Sequence, residues 1–448
     1  MSEKTTQDVA ALEGLELDLA SEAETRRDSL VKHLQHLVRI PSVSGDEQRI
    51  THELHSWATR EGFDTRIVTP DLATLAAHRA FTEPASPDYE GRSNVIVELG
   101  SGEGPTLALL AHSDVVPVDP MTVWTHDPWG GEVDEKRVYG RGSADCKGGA
   151  AVAMVVAETL RDLGVELAGR LQLQFVVEEE SGGNGTLSTI LAGVTADAMI
   201  QLEPTGTSRI VLSNRGAQFF RLRVPGVEGD VAYQHLIANA IDKAVLLINA
   251  THAYSDRREA TVRHPLYQDR YPTQVPLAIC KMTAGAWPST VPGEAVLEGT
   301  IECMPGEDID AVVDRFEEYL KDVANEDSWL AEHPITFERF GLRLEAAETP
   351  SNAHIVTTLL GVGHQALGTR PDLVGGGGSD LRLPVLYADC PTVLYGPAGG
   401  MAHSVDEFVT IEELVSCLKV ILICVARFLS ASLPSEHSQP ALNEKVVT

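Results

Sequence analysis

The strongest constraint on this chain's fold is an alternation of two hydrophobic periods along its first half. SLVKHLQHLVRIPSVSG (29–45) carries a helical stripe that stops at Pro41 and Gly45, whereas SNVIVELG and PTLALLAHSDVVP are short apolar runs of strand length. KGGAAVAMVVAETLRDLG is an Ala-rich helix closed by Gly164, and RLQLQFVVEEE reads as a strand again. Strands interleaved with helices of this length predict an α/β layer: a mainly parallel sheet with helices on both faces. Such sheets gather functional residues at the carboxyl ends of their strands.

From about Asn214 the texture changes. QFFRLRVPG alternates as a half-exposed strand, LIANAIDKAVLLINA is a helix, and EAVLEGTIECMPG alternates again. IDAVVDRFEEYLKDVANE is a second helix and ITFERFG a further strand. This predicts an inserted α+β domain, ferredoxin-like, over 214–344, splitting a larger domain into 1–213 and 345–448. A helix near 352–367, the strand PTVLYG and a final helix resume the first texture, and the polar, Pro-bearing LPSEHSQPALNEKVVT reads as a loose tail.

Charge excludes whole classes of function. Lys and Arg number 35 against 65 Asp and Glu, a net charge of −30, so the chain has no electrostatic footprint for nucleic acid or an anionic membrane. The most apolar stretch, VSCLKVILICVARFL, is interrupted by Lys419 and Arg427 and reads as a buried helix, not a membrane span. The N-terminal stretch is acidic and lacks the basic and apolar regions of a secretory signal. Six scattered cysteines without a CxxC pair favour reduced thiols, so a cytoplasmic location is expected.

Five segments place His or carboxylates at strand ends or in glycine-rich turns. They are AHSDVVP (His112, Asp114), GRGSADCKGG (Asp145), VVEEESGGNG (Glu178 to Glu180), IQLEPTG (Glu203) and GGMAHSVDE (His403). Histidines mixed with carboxylates suit a divalent site, with zinc the default. Two ions sharing one carboxylate need about this many ligands, and such a pair activates water and polarises a carbonyl.

HxDVVP followed by Trp124 and Pro128, YGRGxxDxKGG, EExxGxxG, EPT and AHxxDE occur here in one order, with the inserted domain between the fourth and fifth. In this the chain resembles the dinuclear-zinc amidohydrolase and metallopeptidase family of acetylornithine deacetylase, succinyl-diaminopimelate desuccinylase, aminoacylase and glutamate carboxypeptidase, from about Leu30 to Leu429. The resemblance implies that His112 and Glu203 bind one ion and Glu180 and His403 the other, with Asp145 bridging; zinc is expected, with cobalt or manganese as possible substitutes. It implies that Asp114 orients the His112 ring and that Glu179 is the general base, and it implies a cis peptide after Asp145. Glu178 is read as a solvated strand-end acid, because the family pattern uses only the following two. His126, His252, His264, His354 and His364 are read as surface or core histidines, and Cys146 as packing.

The inserted domain departs from the family. By the same resemblance, Asp230 stands where relatives carry a His that reaches the substrate oxyanion across a dimer. Ser289 replaces an Asn, and Glu302 replaces an Arg that binds a free carboxylate. One reading is a specificity change by charge reversal, since Asp and Glu repel an anionic substrate. A second is a register displaced by a few residues, with His235 taking over or the acids facing solvent. A third is lost catalysis. In GGGGSDLR, Asp380 or Arg382 lines the pocket in one reading, and the glycines form a plain hinge in the other.

The expectation is a zinc-dependent hydrolase that cleaves an amide bond of a small N-acylated amine, amino acid or dipeptide-like metabolite, as a homodimer joined through the inserted domain. The alternatives are an acyl transfer or condensation on the same two-metal site, and a metal-retaining binding protein.

Overall fold

The computed structural model describes residues 12–433. A nine-stranded sheet forms its centre. Its order is Asp64–Val68, Asn94–Leu99, Arg170–Val176, Thr106–His112, Ala198–Gln201, Thr392–Leu394, Arg209–Asn214 and Ala347–Glu348, with Asp372–Gly376 also paired to Arg209–Asn214. The expected parallel pairing occupies the middle: Thr106–His112 runs parallel to both Arg170–Val176 and Ala198–Gln201, and Thr392–Leu394 parallel to the latter. Toward both margins the pairing turns antiparallel, except that Asp372–Gly376 runs parallel to Arg209–Asn214.

One face of this sheet packs on Lys147–Asp162, an almost wholly buried helix, and on Ile411–Phe428. That burial explains why VSCLKVILICVARFL is so apolar. Among the described residues, no helix is long and apolar enough to cross a membrane. The polar tail expected from Leu433 onward lies, beyond Leu433 itself, outside the described residues, as do the first eleven residues.

The alternation beginning at QFFRLRVPG builds a separate four-stranded antiparallel sheet, ordered Leu277–Ala284, Glu294–Cys303, Gly216–Pro225, Thr336–Leu344. With the helices Ala240–Thr261 and Ile309–Glu326 between strands, this is the βαββαβ ferredoxin-like arrangement. Phe220, Leu222 and Val224 alternate inward onto Ala244, Leu247, Val313 and Phe316 of the helices, while Arg221 on the other face pairs with Glu298 and Glu338.

An ion cluster ties the two parts together. Arg343 of the small sheet reaches Asp310 at 2.7 Å and Glu345 at 2.6 Å. Arg79, from a loop of the large part, approaches the same two acids at 3.7 and 3.6 Å.

Candidate metal centre

Pairing register decides which side chains meet. His112 lies opposite Val176 at the end of its strand, so the turn Glu178–Glu180 and, beyond Gln201, Glu203 leave the sheet beside it. Side chains alternate along a strand, so His112 shares the face of Leu110 and Ala108. Its Nδ1 faces the backbone carbonyl of Asp114 at 2.9 Å, which turns Nε2 toward Asp145 Oδ1 at 2.9 Å and Glu203 Oε2 at 3.9 Å.

The Asp114 carboxylate holds more than the imidazole. It lies 3.6 Å from His112 Nδ1, and its hydrogen bonds come from the amides of Glu179 and Glu180 at 3.1 and 3.2 Å and from Ser44 Oγ at 2.7 Å.

Asp145 sits between strand Arg137–Tyr139 and helix Lys147–Asp162, and the Asp145–Cys146 peptide is cis, as the resemblance implied. Glu407, buried, accepts the amides of Ala144 and Asp145 at 3.0 and 3.1 Å and pairs with Arg141 at 2.6 Å. A small sheet, Gly399–Gly400, Phe408–Thr410 and Arg137–Tyr139, brings the distant AHSVDE segment alongside. His403 Nε2 thereby lies 3.0 Å from Glu180 Oε2 and 3.3 Å from Asp145 Oδ2. The two oxygens of Asp145 thus face two different histidines.

Burial would raise the Asp145 carboxyl, but hydrogen bonds from both imidazoles outweigh it and hold it well below the usual range. Burial pushes Glu203 up to about 8, with the Asp145 and Glu180 charges adding to it and His112 opposing. Glu179 is pushed well above its ordinary value by burial, then by the charges of Asp380 and Glu203. His403 rises to about 10 through its hydrogen bonds to Asp145 and Glu180. Among the described residues these carboxylates crowd one another with no Lys or Arg ion-paired to them, and Glu203 Oε1 is buried with no hydrogen-bond partner there. Ligand atoms of His112, Asp145 and Glu180 fall within 4.8 Å of one another, as do those of His112, Cys146 and Glu203. A divalent cation fits this donor set: it supplies the missing positive charge and a partner for the orphan oxygen.

Residues 108–427 match the profile of peptidase family M20/M25/M40. The chain belongs to this family. It is 28% identical over 413 residues to succinyl-diaminopimelate desuccinylase of Nitrobacter hamburgensis, spanning 86% of this chain and 95% of that one. It is 30% identical over 343 residues to N-formyl-4-amino-5-aminomethyl-2-methylpyrimidine deformylase of Halalkalibacterium halodurans, spanning 71% and 78%. In fold it resembles a tripeptidase from Staphylococcus aureus, with a TM-score of 0.71 at 20% identity over 90% of this chain and 99% of that one. It is thus a family M20/M25/M40 hydrolase of peptide or amide bonds.

Beside the cluster of this M20/M25/M40 chain lies a cavity of about 190 Å³ lined by Glu179, Glu180, Gly182, Leu342, Leu344, Gly378, Ser379 and Asp380. Leu342 and Leu344 come from the small sheet, an apolar wall that sequence reading did not anticipate. Asp380 lines the cavity, accepts from Thr186 Oγ1 at 2.5 Å, and is pushed up to about 6, chiefly by burial. Arg382 is fully buried and is not part of this lining; its Nη2 donates to the Gly182 carbonyl at 2.8 Å.

The residues expected to alter specificity bond within the inserted part. Asp230 is exposed and its carboxylate accepts the Ala232 amide at 2.8 Å; it lies beside Ser289, whose carbonyl accepts the Val231 amide at 3.1 Å. Glu302 pairs with Arg215 at 2.7 Å, so its charge is already met.

Glu178 corrects the sequence reading. It is not solvated but fully buried, receiving Arg92 Nη2 at 2.6 Å and the Tyr89 hydroxyl. Cys146 is buried, donates to the Leu202 carbonyl at 3.6 Å and is pushed up to about 12 by burial. Of the unassigned histidines, His126 stacks on Tyr139, His264 bonds Glu348 and His354 stacks on Phe428. Glu407 was missed as a supporting residue, although the last letter of AHxxDE marks it.

Proposed function

We propose that the chain is a two-metal amidohydrolase that removes an acyl group from, or splits a peptide-like bond in, a small N-acylated amine, amino acid or dipeptide. The observation that carries this reading is the placement of Asp145 between His112 and His403. His112 and Glu203 would hold one ion, Glu180 and His403 the other, with Asp145 between them; zinc is the first expectation from the nitrogen and oxygen donors. When bound, such ions acidify water and polarise a carbonyl.

The chain's own groups supply the rest. Glu179 lines the cavity with its carboxyl pushed well upward, so it suits a group that accepts a proton from the attacking water and then returns it to the departing amine. Asp114 fixes the amides of Glu179 and Glu180, which keeps base and ligand in one register. Leu342 and Leu344 exclude water from one side and favour an aliphatic group next to the scissile bond. The relatives' names, a desuccinylase and a deformylase, support acyl removal as the reaction type.

We further propose that 214–344 is a discrete lid unit and that two copies join through it. Val231, Tyr233, Leu236 and Trp287 are exposed there, and Leu277–Ala284 is an edge strand. The free cysteines, all buried except Cys280, support a reducing compartment such as the cytoplasm.

The test combines elemental analysis with a hydrolysis screen of N-formyl, N-acetyl and N-succinyl amino acids and dipeptides. Two equivalents of metal per chain, with turnover abolished in Glu179→Ala, is the expected result. Metal without turnover of any probe would favour a binding protein, and a metal-free wild-type chain would sink the site assignment. Sedimentation of Leu236→Asp against wild type tests the dimer: an unchanged mass would sink it.

A further inference from the structure

Glu178 has no role in the chemistry above, yet it is among the most completely satisfied acids in the molecule. Its carboxylate receives the Ala85 amide at 2.9 Å, Arg92 Nη2 at 2.6 Å, the Tyr89 hydroxyl and Asn184 Nδ2 at 3.5 Å. Four donors match the roughly four lone-pair positions of a carboxylate. Arg92 is itself held from the other side by Glu47, with Nη2 to Oε1 at 3.2 Å, and by the Asp88 carbonyl at 2.7 Å. Glu47 accepts the Gly45 amide at 3.0 Å, and the neighbouring Ser44 hydroxyl donates to Asp114 at 2.7 Å. Asp114 closes the loop by taking the amides of Glu179 and Glu180. A ring of polar contacts therefore runs from Asp114 through Ser44, Glu47, Arg92 and Glu178 back to the two residues that follow it.

Backbone geometry shows what the ring achieves. Glu178 has φ 58°, in the left-handed region that a residue with a side chain rarely occupies. This conformation directs Glu178 away from the cavity while Glu179 and Glu180 line it. A buried acid in such a conformation is costly unless its surroundings hold it, and apolar packing would fill the same space without four donors.

We propose that Glu178 is a positioning residue: anchored by Arg92 and Tyr89, it locks the turn that aims Glu179 at the substrate and Glu180 at its ion. The proposal rests on the roles assigned to Glu179 and Glu180. It is tested by titrating the metal-stripped full-length protein with Co²⁺ and following the visible absorption bands. Glu178→Gln keeps the shape but offers an amide NH₂ to donors that need an acceptor. We expect it to weaken the ion held by Glu180 and His403 by about tenfold and to leave the ion at His112 and Glu203 unchanged, the scale of effect usual for groups that orient metal ligands. With a substrate from the dipeptide screen, kcat should fall by about tenfold or more while KM stays within about threefold.

Tyr89→Phe removes one donor to Glu178 and the acceptor of Asn184 Nδ2 at 2.9 Å, keeps the ring under Arg92, and should move both readouts in the same direction by a smaller factor. Cobalt binding and kcat equal to wild type in both variants would overturn the proposal, as would equal weakening of both ions. If Glu178→Gln does not fold, Tyr89→Phe alone decides the matter by the same criteria. Wild type that takes up no cobalt, or an active Glu179→Ala, would instead defeat the underlying site reading.

Discussion

Glu407 Oε1 accepts the backbone amide of Asp145 at 3.1 Å, and so an acid 262 positions away fixes the carboxylate between the two histidines. Its other oxygen holds the buried guanidinium of Arg141 at 2.6 Å. Glu407→Gln leaves Arg141 buried and unpaired, and breaking a buried pair costs about 3–5 kcal/mol. Denaturant unfolding should show a loss of that size together with weaker metal retention. A variant as stable as wild type would show that Arg141 finds another partner.

Metal binding should tighten as pH rises. Burial lifts Glu203 to about 8, and contacts with Asp145 and Glu180 lift His403 to about 10, so both carry protons in the metal-free chain near neutrality. Both protons must leave when a cation takes their place. The difference in Tm between the zinc-loaded and the EDTA-treated protein should therefore widen from pH 5 to pH 8. A constant gap would contradict the protonation states inferred for these two groups.

Replacing the Arg215–Glu302 pair, 2.7 Å apart, as one neutral unit (Arg215→Gln with Glu302→Gln) should leave the preference between cationic and anionic dipeptides unchanged, because each charge already cancels the other. The measurement is the ratio of kcat/KM values for the two substrate types. A shift of tenfold or more toward anionic substrates, equivalent to about 1.4 kcal/mol, would revive charge reversal as the basis of specificity.

Gly183→Ala should destabilise the turn behind Glu180. A Cβ there would stand 2.0 Å from Asp380 Oδ1, and the residue has φ 85°. Left-handed strain alone costs about 1–2 kcal/mol, and the displaced Asp380 borders the cavity. Chemical unfolding should register more than that loss, and a loss no larger than the backbone strain would mean that Asp380 moves aside freely.

Much of this was legible in the chain because the relevant signals are local. Alternation in QFFRLRV and EAVLEGTIEC marked the small sheet, and apolar runs ending in His112 or Glu203 marked strand termini. Glu178 was misread because three acids before glycines look like a solvated strand end, whereas its burial depends on Arg92, 86 positions earlier. The strands at Gly399–Gly400 and Phe408–Thr410 are too short to show a period, yet they carry His403 to Asp145. The wall of Leu342 and Leu344 was invisible because which face of a bulged edge strand meets the large part is set by tertiary packing. The resemblance located Asp230, Ser289 and Glu302 in sequence but could not supply Arg215 as a neighbour.

The cluster of Arg79, Arg343, Asp310 and Glu345 crosses the seam between the large part and the small sheet, with Arg79 exposed, Arg343 and Asp310 half-buried and Glu345 buried. Such charges attract one another less as electrolyte rises, because the screening length shrinks from about 10 Å at 0.1 M to about 3 Å at 1 M. Under the lid reading proposed above, ionic strength becomes a handle on how readily the wall of Leu342 and Leu344 moves away from Glu179. Turnover limited by product escape should quicken with added salt, and Arg79→Ala should remove part of that response.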